Sequence, residues 1–233
     1  MAIDIIYCAA GNRKYAEIAV AAGMRYGAQL PDDGKVYLPI FFADQNWKNP
    51  NRPGYMEALS RMRPTAATVL DWEHEDQFAE VMSWAEEAAQ YVERVIIIPK
   101  IIGSIPRIPH RVGNADVILG YSVPTKFGGT SVPTWEFGNR PVHLLGGSPQ
   151  KQLHAAHYMH VVSADGNYIH KLASKTCFWT PGTAHYANDR HWPTIIEADG
   201  KPWGDGSKTA GAPYEAFRRS CINVMEAWRS LHT

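Results

Sequence analysis

Short apolar runs alternate along the chain with longer stretches whose apolar residues recur every third or fourth position. The first pattern predicts buried strands and the second predicts amphipathic helices. Strands are expected over 3–8, 36–42, 66–70, 94–98, 116–120, 141–146 and 158–164, with 175–179 a candidate eighth. The run Arg94-Val95-Ile96-Ile97-Ile98 is apolar on both faces, as a parallel strand covered on both sides must be. Helices are expected over 13–24, 53–62, 76–92, 149–157 and 214–231, the second behind Asn51 as a cap. Within 76–92, Phe78, Val81, Met82, Ala85, Ala88 and Ala89 share one helix face. Residues 180–213 are rich in Gly, Pro, Trp and Asp and read as loops, before the C-terminal helix at 214–231.

Strand-then-helix repetition predicts an α/β fold with a parallel sheet. Seven strands and a candidate eighth favour a compact TIM-like (β/α)8 barrel, incomplete or irregular in its last units, over an open doubly wound sheet. No glycine-rich dinucleotide fingerprint follows the first strand. No internal repeat or long linker divides the chain, so 1–233 is expected to form a single barrel domain.

Composition narrows the picture. A length of 233 residues, 45% hydrophobic and 20% charged, suits a globular protein with a sizeable core. Lys+Arg and Asp+Glu are 23 each, so the chain does not coat DNA by bulk charge, although a local basic groove remains compatible. The three cysteines, Cys8, Cys177 and Cys221, form no CxxC pair, which argues against a disulfide framework or a cysteine-only zinc site. Neither a signal peptide nor a membrane-length apolar run is recognisable, so a cytoplasmic location is expected.

Two apolar runs deliver a carboxylate and stop: Thr68-Val69-Leu70-Asp71 and Val161-Val162-Ser163-Ala164-Asp165-Gly166. Parallel barrels carry their chemistry at that edge of the sheet. A carboxylate pair there can serve as nucleophile and general acid/base. Each also has a structural reading, since Asp-Gly is a turn signal and Asp71 could cap the helix that follows it. Phe41-Phe42-Ala43-Asp44-Gln45-Asn46-Trp47 offers Asp44 as an acceptor for a guanine-type edge and Trp47 as a stacking face, or else a capped loop. Lys100, Arg107, His110 and Arg111 follow one strand, and with Lys126 and Lys171 they could contact phosphates or form a solvated surface. His154, His157 and His160 are spaced by three, and His185 and His191 lie in the loop-rich segment. No HExxH pattern or carboxylate-rich cluster accompanies them, so no metal is expected.

Taken in order, these strand ends resemble the tRNA-guanine transglycosylase superfamily. The resemblance is closest to its phage-associated, DNA-guanine transglycosylase-like branch, which places 7-deazaguanine bases in DNA. Val142-His143-Leu144-Leu145-Gly146-Gly147-Ser148-Pro149 is similar to the family's strand ending in a Gly-x-Gly-x-Pro turn, and Ser163-Ala164-Asp165 to its nucleophile segment. Leu70-Asp71-Trp72-Glu73 matches its second aspartate, Leu119-Gly120-Tyr121-Ser122-Val123 its glycine-rich recognition strand, and Ile98-Pro99-Lys100-Ile101-Ile102-Gly103-Ser104 its Gln-Gly segment. The similarity covers roughly 66–173.

It implies base exchange: guanine in DNA replaced by a preQ0-like 7-deazaguanine through a covalent sugar ester. Asp165 would be the nucleophile and Asp71 the general acid/base, with base contacts from Gly120, Tyr121, Gly146 and Gly147. DNA, rather than RNA, and a free 7-deazaguanine base are the implied partners. The clustered cysteines of the tRNA enzymes are missing, so no cofactor and no zinc of that type is expected. The glutamine position holds Pro99 or Lys100. A nucleoside or N-glycoside hydrolase, or a non-catalytic nucleic-acid-binding barrel, are the alternatives. The sequence does not set the oligomeric state, with which a homodimer is compatible.

Overall fold

A computed structural model describes residues 3–9, 12–32, 36–125, 128–182, 192–199 and 211–231. Its strands are β1 (Asp4–Cys8), β2 (Arg25–Leu30), β3 (Phe42–Gln45), β4 (Ala66–Thr68), β5 (Arg94–Ile97), β6 (Arg111–Val112), β7 (Ala115–Ser122), β8 (Val142–Leu145) and β9 (Val161–Gly166). The helices are α1 (Arg13–Ala21), α2 (Arg52–Met62), α3 (Phe78–Ala88), α4 (Pro149–Ala156), α5 (Tyr168–Ala173), α6 (Ile195–Asp199) and α7 (Ala212–Ser230). The parallel strands run β1-β2-β3-β4-β5-β7-β8-β9 and close where β9 pairs with β1. The result is an eight-stranded parallel α/β barrel of the TIM type. The short β6 adds an antiparallel pair to the start of β7, outside this ring.

The eighth barrel strand is β2, and not the 175–179 segment expected from sequence. Cys177 makes only an isolated bridge to Thr194. The expected strand at 36–42 is displaced too: β3 begins at Phe42. α5 and α6 are further helices that the sequence pattern did not suggest, α6 lying inside the expected loop-rich segment. Asn51 does cap α2, its side chain accepting from Gly54 N at 3.2 Å.

Alternation along each strand separates two apolar regions. Outward-facing residues such as Ile5, Tyr7, Ala67, Val95, Ile97, Val117, Leu119 and Leu144 pack in the main core with the helices. Inward-facing Ile6, Cys8, Phe42, Ala66, Ile96, Ile98 and Ile118 fill the barrel. The strand starts are tied by Asp4, which pairs with Arg25 at 3.1 Å and Arg94 at 3.3 Å. The strand ends carry a different set of polar groups, and these form the site.

Gly120 belongs to the barrel filling. A Cβ there would lie 2.5 Å from Ile98 Cγ1 and 3.0 Å from Leu145 Cδ1. Gly120→Ala is therefore expected to overpack the interior and cost about 1–3 kcal/mol, measured by chemical denaturation. Unchanged stability would contradict this packing.

Candidate active site

At the C-terminal mouth of the barrel lies a cavity of about 470 Å³. Its walls include Asp44, Asp71 and Asp165 from three strand ends, with Lys100, Trp47, Gly146 and Gly147. Among the described lining residues Lys100 is the only cation.

Asp165 stands at the end of β9, and its side chain is 12% exposed. Its Oδ1 lies 3.2 Å from Nε2 of His143, and Nδ1 of the same ring lies 2.8 Å from Ser163 Oγ. His143 on β8 faces into the barrel, is wholly buried, and packs against Phe42 with ring centroids 4.9 Å apart. A register shift between β8 and β9 at Val142/His143 sets His143 beside Ser163 rather than beside Val162. The main chain of Asp165 is also held: Gln152 Nε2 donates to Asp165 O at 2.7 Å and to Gly146 O at 2.8 Å. Sequence reasoning gave neither His143 nor Gln152 a role. The signal that would have found His143 is its position in phase with the inward-facing residues of an otherwise apolar strand.

Asp44, next to last in β3, lines the same cavity as Asp165. The Thr68 hydroxyl donates to its Oδ1 at 3.2 Å, while the same hydroxyl oxygen accepts from Gln45 N at 2.7 Å. Burial pushes the Asp44 carboxyl well above the usual carboxylate range, and the negative charges of Asp165 and Asp71 push it in the same direction. Hydrogen bonds from Thr68 and the Gln45 N–H pull the other way and are outweighed. Cys8, at the end of β1, is raised as well, by burial first and then by Asp165 and Asp44. Its thiol is thus held away from the thiolate form.

Asp71 lies just beyond β4. Trp72 N donates to Ile98 O at 3.0 Å and Lys100 N to Trp72 O at 2.9 Å, which carries the pairing of β4 and β5 past the strands. This extension brings Lys100 Nζ to 3.0 Å from Asp71 Oδ2. Burial raises the Asp71 carboxyl, and Lys100 offsets part of that rise. Asp71 does not cap the following turn; that position is taken by His74.

Trp47 stands on the rim, 55% exposed, with Lys48 Nζ 5.3 Å from its ring centroid. Gly146 and Gly147 both have positive φ, 65° and 78°, and both line the cavity. At Gly147 a Cβ would meet Val123 Cγ1 at 2.6 Å, so the glycine lets the ends of β7 and β8 close together.

Except for Lys100, the other expected contacts within the described residues are not brought to this cavity. Gly120 is sealed beneath it by Ile98 and Leu145. Tyr121 is one residue out of phase with Gly120, so it faces outward and packs edge-on against Phe137 at 5.4 Å. Lys100 is there, but it is bound to Asp71. Arg107 pairs with Glu75 and lies over the Trp72 and Phe78 rings, 4.9 and 4.5 Å from their centroids. Arg111 is in β6, beside the start of β7, at the opposite end of the barrel, where it pairs with Asp116 at 3.6 Å. His110 adjoins it, its carbonyl accepting from Val117 N. Lys171 is exposed on α5 and does not line the cavity. Lys126, His185 and His191 lie outside the described residues. The proposed phosphate-contacting set is therefore not assembled as a single groove among the described residues.

Among the described residues no group of three or more His, Cys, Asp or Glu is placed to hold a metal ion. No described helix is long and apolar enough to cross a membrane. A family model matches residues 16–229, under the description Family of unknown function (DUF6610). No curated protein matches the chain.

Proposed function

We propose that this chain, which belongs to the DUF6610 family of unknown function, breaks and remakes N-glycosidic bonds, exchanging guanine in DNA for a 7-deazaguanine base. The observation that carries the reading is one cavity holding a carboxylate aimed by a buried histidine, Asp165, beside a carboxyl biased toward its protonated form, Asp44. Asp165 attacks C1′ of the nucleotide, and the bond from C1′ to the purine nitrogen breaks. The departing guanine takes the proton from Asp44. The incoming base returns a proton to Asp44 and attacks C1′, and Asp165 leaves as carboxylate. Two displacements at one carbon retain configuration.

In this scheme proton transfer moves from Asp71 to Asp44. Asp71 is neutralised by Lys100, so the pair offers a fixed acceptor and a fixed donor to base or sugar. Among the described residues no cation offsets the rise at Asp44, so its carboxyl keeps a proton and can give it up as general acid. A base in duplex DNA has to leave the stack to reach the cavity.

Two observations favour a second reading, hydrolysis of free nucleosides. The expected phosphate contacts are dispersed, and the cavity's cation is already paired. The two readings separate when the chain is incubated with preQ0-like bases and either DNA or free guanine nucleosides, and the products are analysed by mass spectrometry. Base exchange leaves a 7-deazaguanine nucleoside in the DNA. Release of guanine from free nucleosides without incorporation supports the hydrolase, and no change in either substrate overturns both.

A further inference from the structure

The polar groups under the cavity form an ordered array of Ser163, His143 and Asp165, with contacts of 2.8 and 3.2 Å. Its order is that of a serine-hydrolase triad run backwards. In such a triad the serine faces substrate and the carboxylate is buried behind the histidine. Here Ser163 is 4% exposed and absent from the cavity wall, while Asp165 lines it. Ser163 is therefore not placed as a nucleophile, and the array acts toward the carboxylate.

We propose that Ser163 and His143 are positioning residues that lock one tautomer of the imidazole and so fix the reactive oxygen of Asp165. Counting hydrogens sets the direction. Ser163 Oγ has no hydrogen-bond partner but His143 among the described residues. If Nδ1 carried a hydrogen, it would donate to Ser163 Oγ and leave the buried hydroxyl hydrogen without an acceptor, which is costly. With the hydroxyl donating to Nδ1, the ring hydrogen is on Nε2 and is donated to Asp165 Oδ1. Every polar hydrogen in the array is then used. Oδ2 takes no hydrogen bond among the described residues and is the oxygen left for substrate. Gln152 holds the backbone of Asp165 from the other side, so side chain and main chain are fixed separately.

The catalytic part of this inference rests on Asp165 being the nucleophile; the tautomer does not. The test is long-range ¹H–¹⁵N NMR on the full chain with ¹⁵N-labelled histidine, His143 being assigned by its loss in His143→Gln. The expected result is a hydrogen on Nε2 only, and loss of that single-tautomer pattern in Ser163→Ala. A hydrogen on Nδ1 in the unmodified chain, or a Ser163→Ala spectrum with His143 unchanged, overturns the proposal. For catalysis, His143→Gln, which keeps an N–H donor, should retain base-exchange kcat within about tenfold, and His143→Phe should lose on the order of a hundredfold with KM little changed. Equal activity in the Gln and Phe variants refutes the positioning role. Should His143→Phe fail to fold, Ser163→Ala carries the kinetic test, and an unaltered kcat there refutes it equally. Full activity in Asp165→Asn would instead sink the nucleophile assignment and leave the tautomer result standing.

Discussion

Asp165→Asn is expected to abolish base exchange and any covalent enzyme–sugar species while leaving the fold intact. The amide keeps the shape of the carboxylate and retains an oxygen to accept from His143 Nε2 at the position now 3.2 Å away. It has no negative charge and is a poor nucleophile, so the loss should reach at least about 10³-fold. Rates of nucleoside exchange, compared at equal folded fraction by circular dichroism, measure it. The result would stand apart from the loss of an ordinary cavity-lining residue, because adduct formation and turnover must vanish together. A variant that forms adduct normally but turns over slowly would move the nucleophile elsewhere.

The second large effect is expected at Asp44, and it has a distinctive pH dependence. Burial, then Asp165 and Asp71, raise its carboxyl in the folded chain. A carboxyl of raised pKa binds its proton more tightly when folded than when unfolded. Below the ordinary range, near pH 4, both states are protonated and the site costs nothing. As pH rises from there, the unfolded chain ionises first, and this site lowers stability by about 1.4 kcal/mol per pH unit until the folded carboxyl also ionises. Asp44→Asn removes that titration. The variant should match the parent in Tm near pH 4 and exceed it increasingly toward neutrality. It should also lose exchange by about 10²–10⁴-fold, as expected when a general acid is removed. Nucleosides whose bases leave without protonation should recover much of that rate. A Tm difference largest in acid, or equal losses on all leaving groups, would contradict the role.

The same residues explain what could be read in advance. Asp71 and Asp165 were legible because each follows an apolar run, and parallel barrels use that edge of the sheet. β2 was not, because Arg25-Tyr26-Gly27-Ala28-Gln29-Leu30 puts Arg25, Gly27 and Gln29 on its inward face. Arg25 answers Asp4, and Gln29 faces the cavity, so site and strand-end chemistry displaced the apolar signal. His143 was hidden for the converse reason: its neighbours Val142 and Leu144 are core residues, and only the closure of β8 onto β9 gives the ring its partners. The basic residues misled because nearness in sequence does not report which end of a barrel a residue occupies. The segment after β5 runs down the outside without an α-helix and ends at β6, which carries Arg111 to the far end from Lys100. Tyr121 was misplaced by the same alternation that put Gly120 inside the barrel.

The most direct measurement is to quench the chain during reaction with DNA and to map any sugar-modified peptide by mass spectrometry. A single acid-labile or nucleophile-labile ester is expected on Asp165, present in the parent chain, accumulating when no incoming base is supplied, and missing from Asp165→Asn. An ester on Asp71 or Asp44, or exchange proceeding at full rate in Asp165→Asn, would contradict Asp165 as the nucleophile.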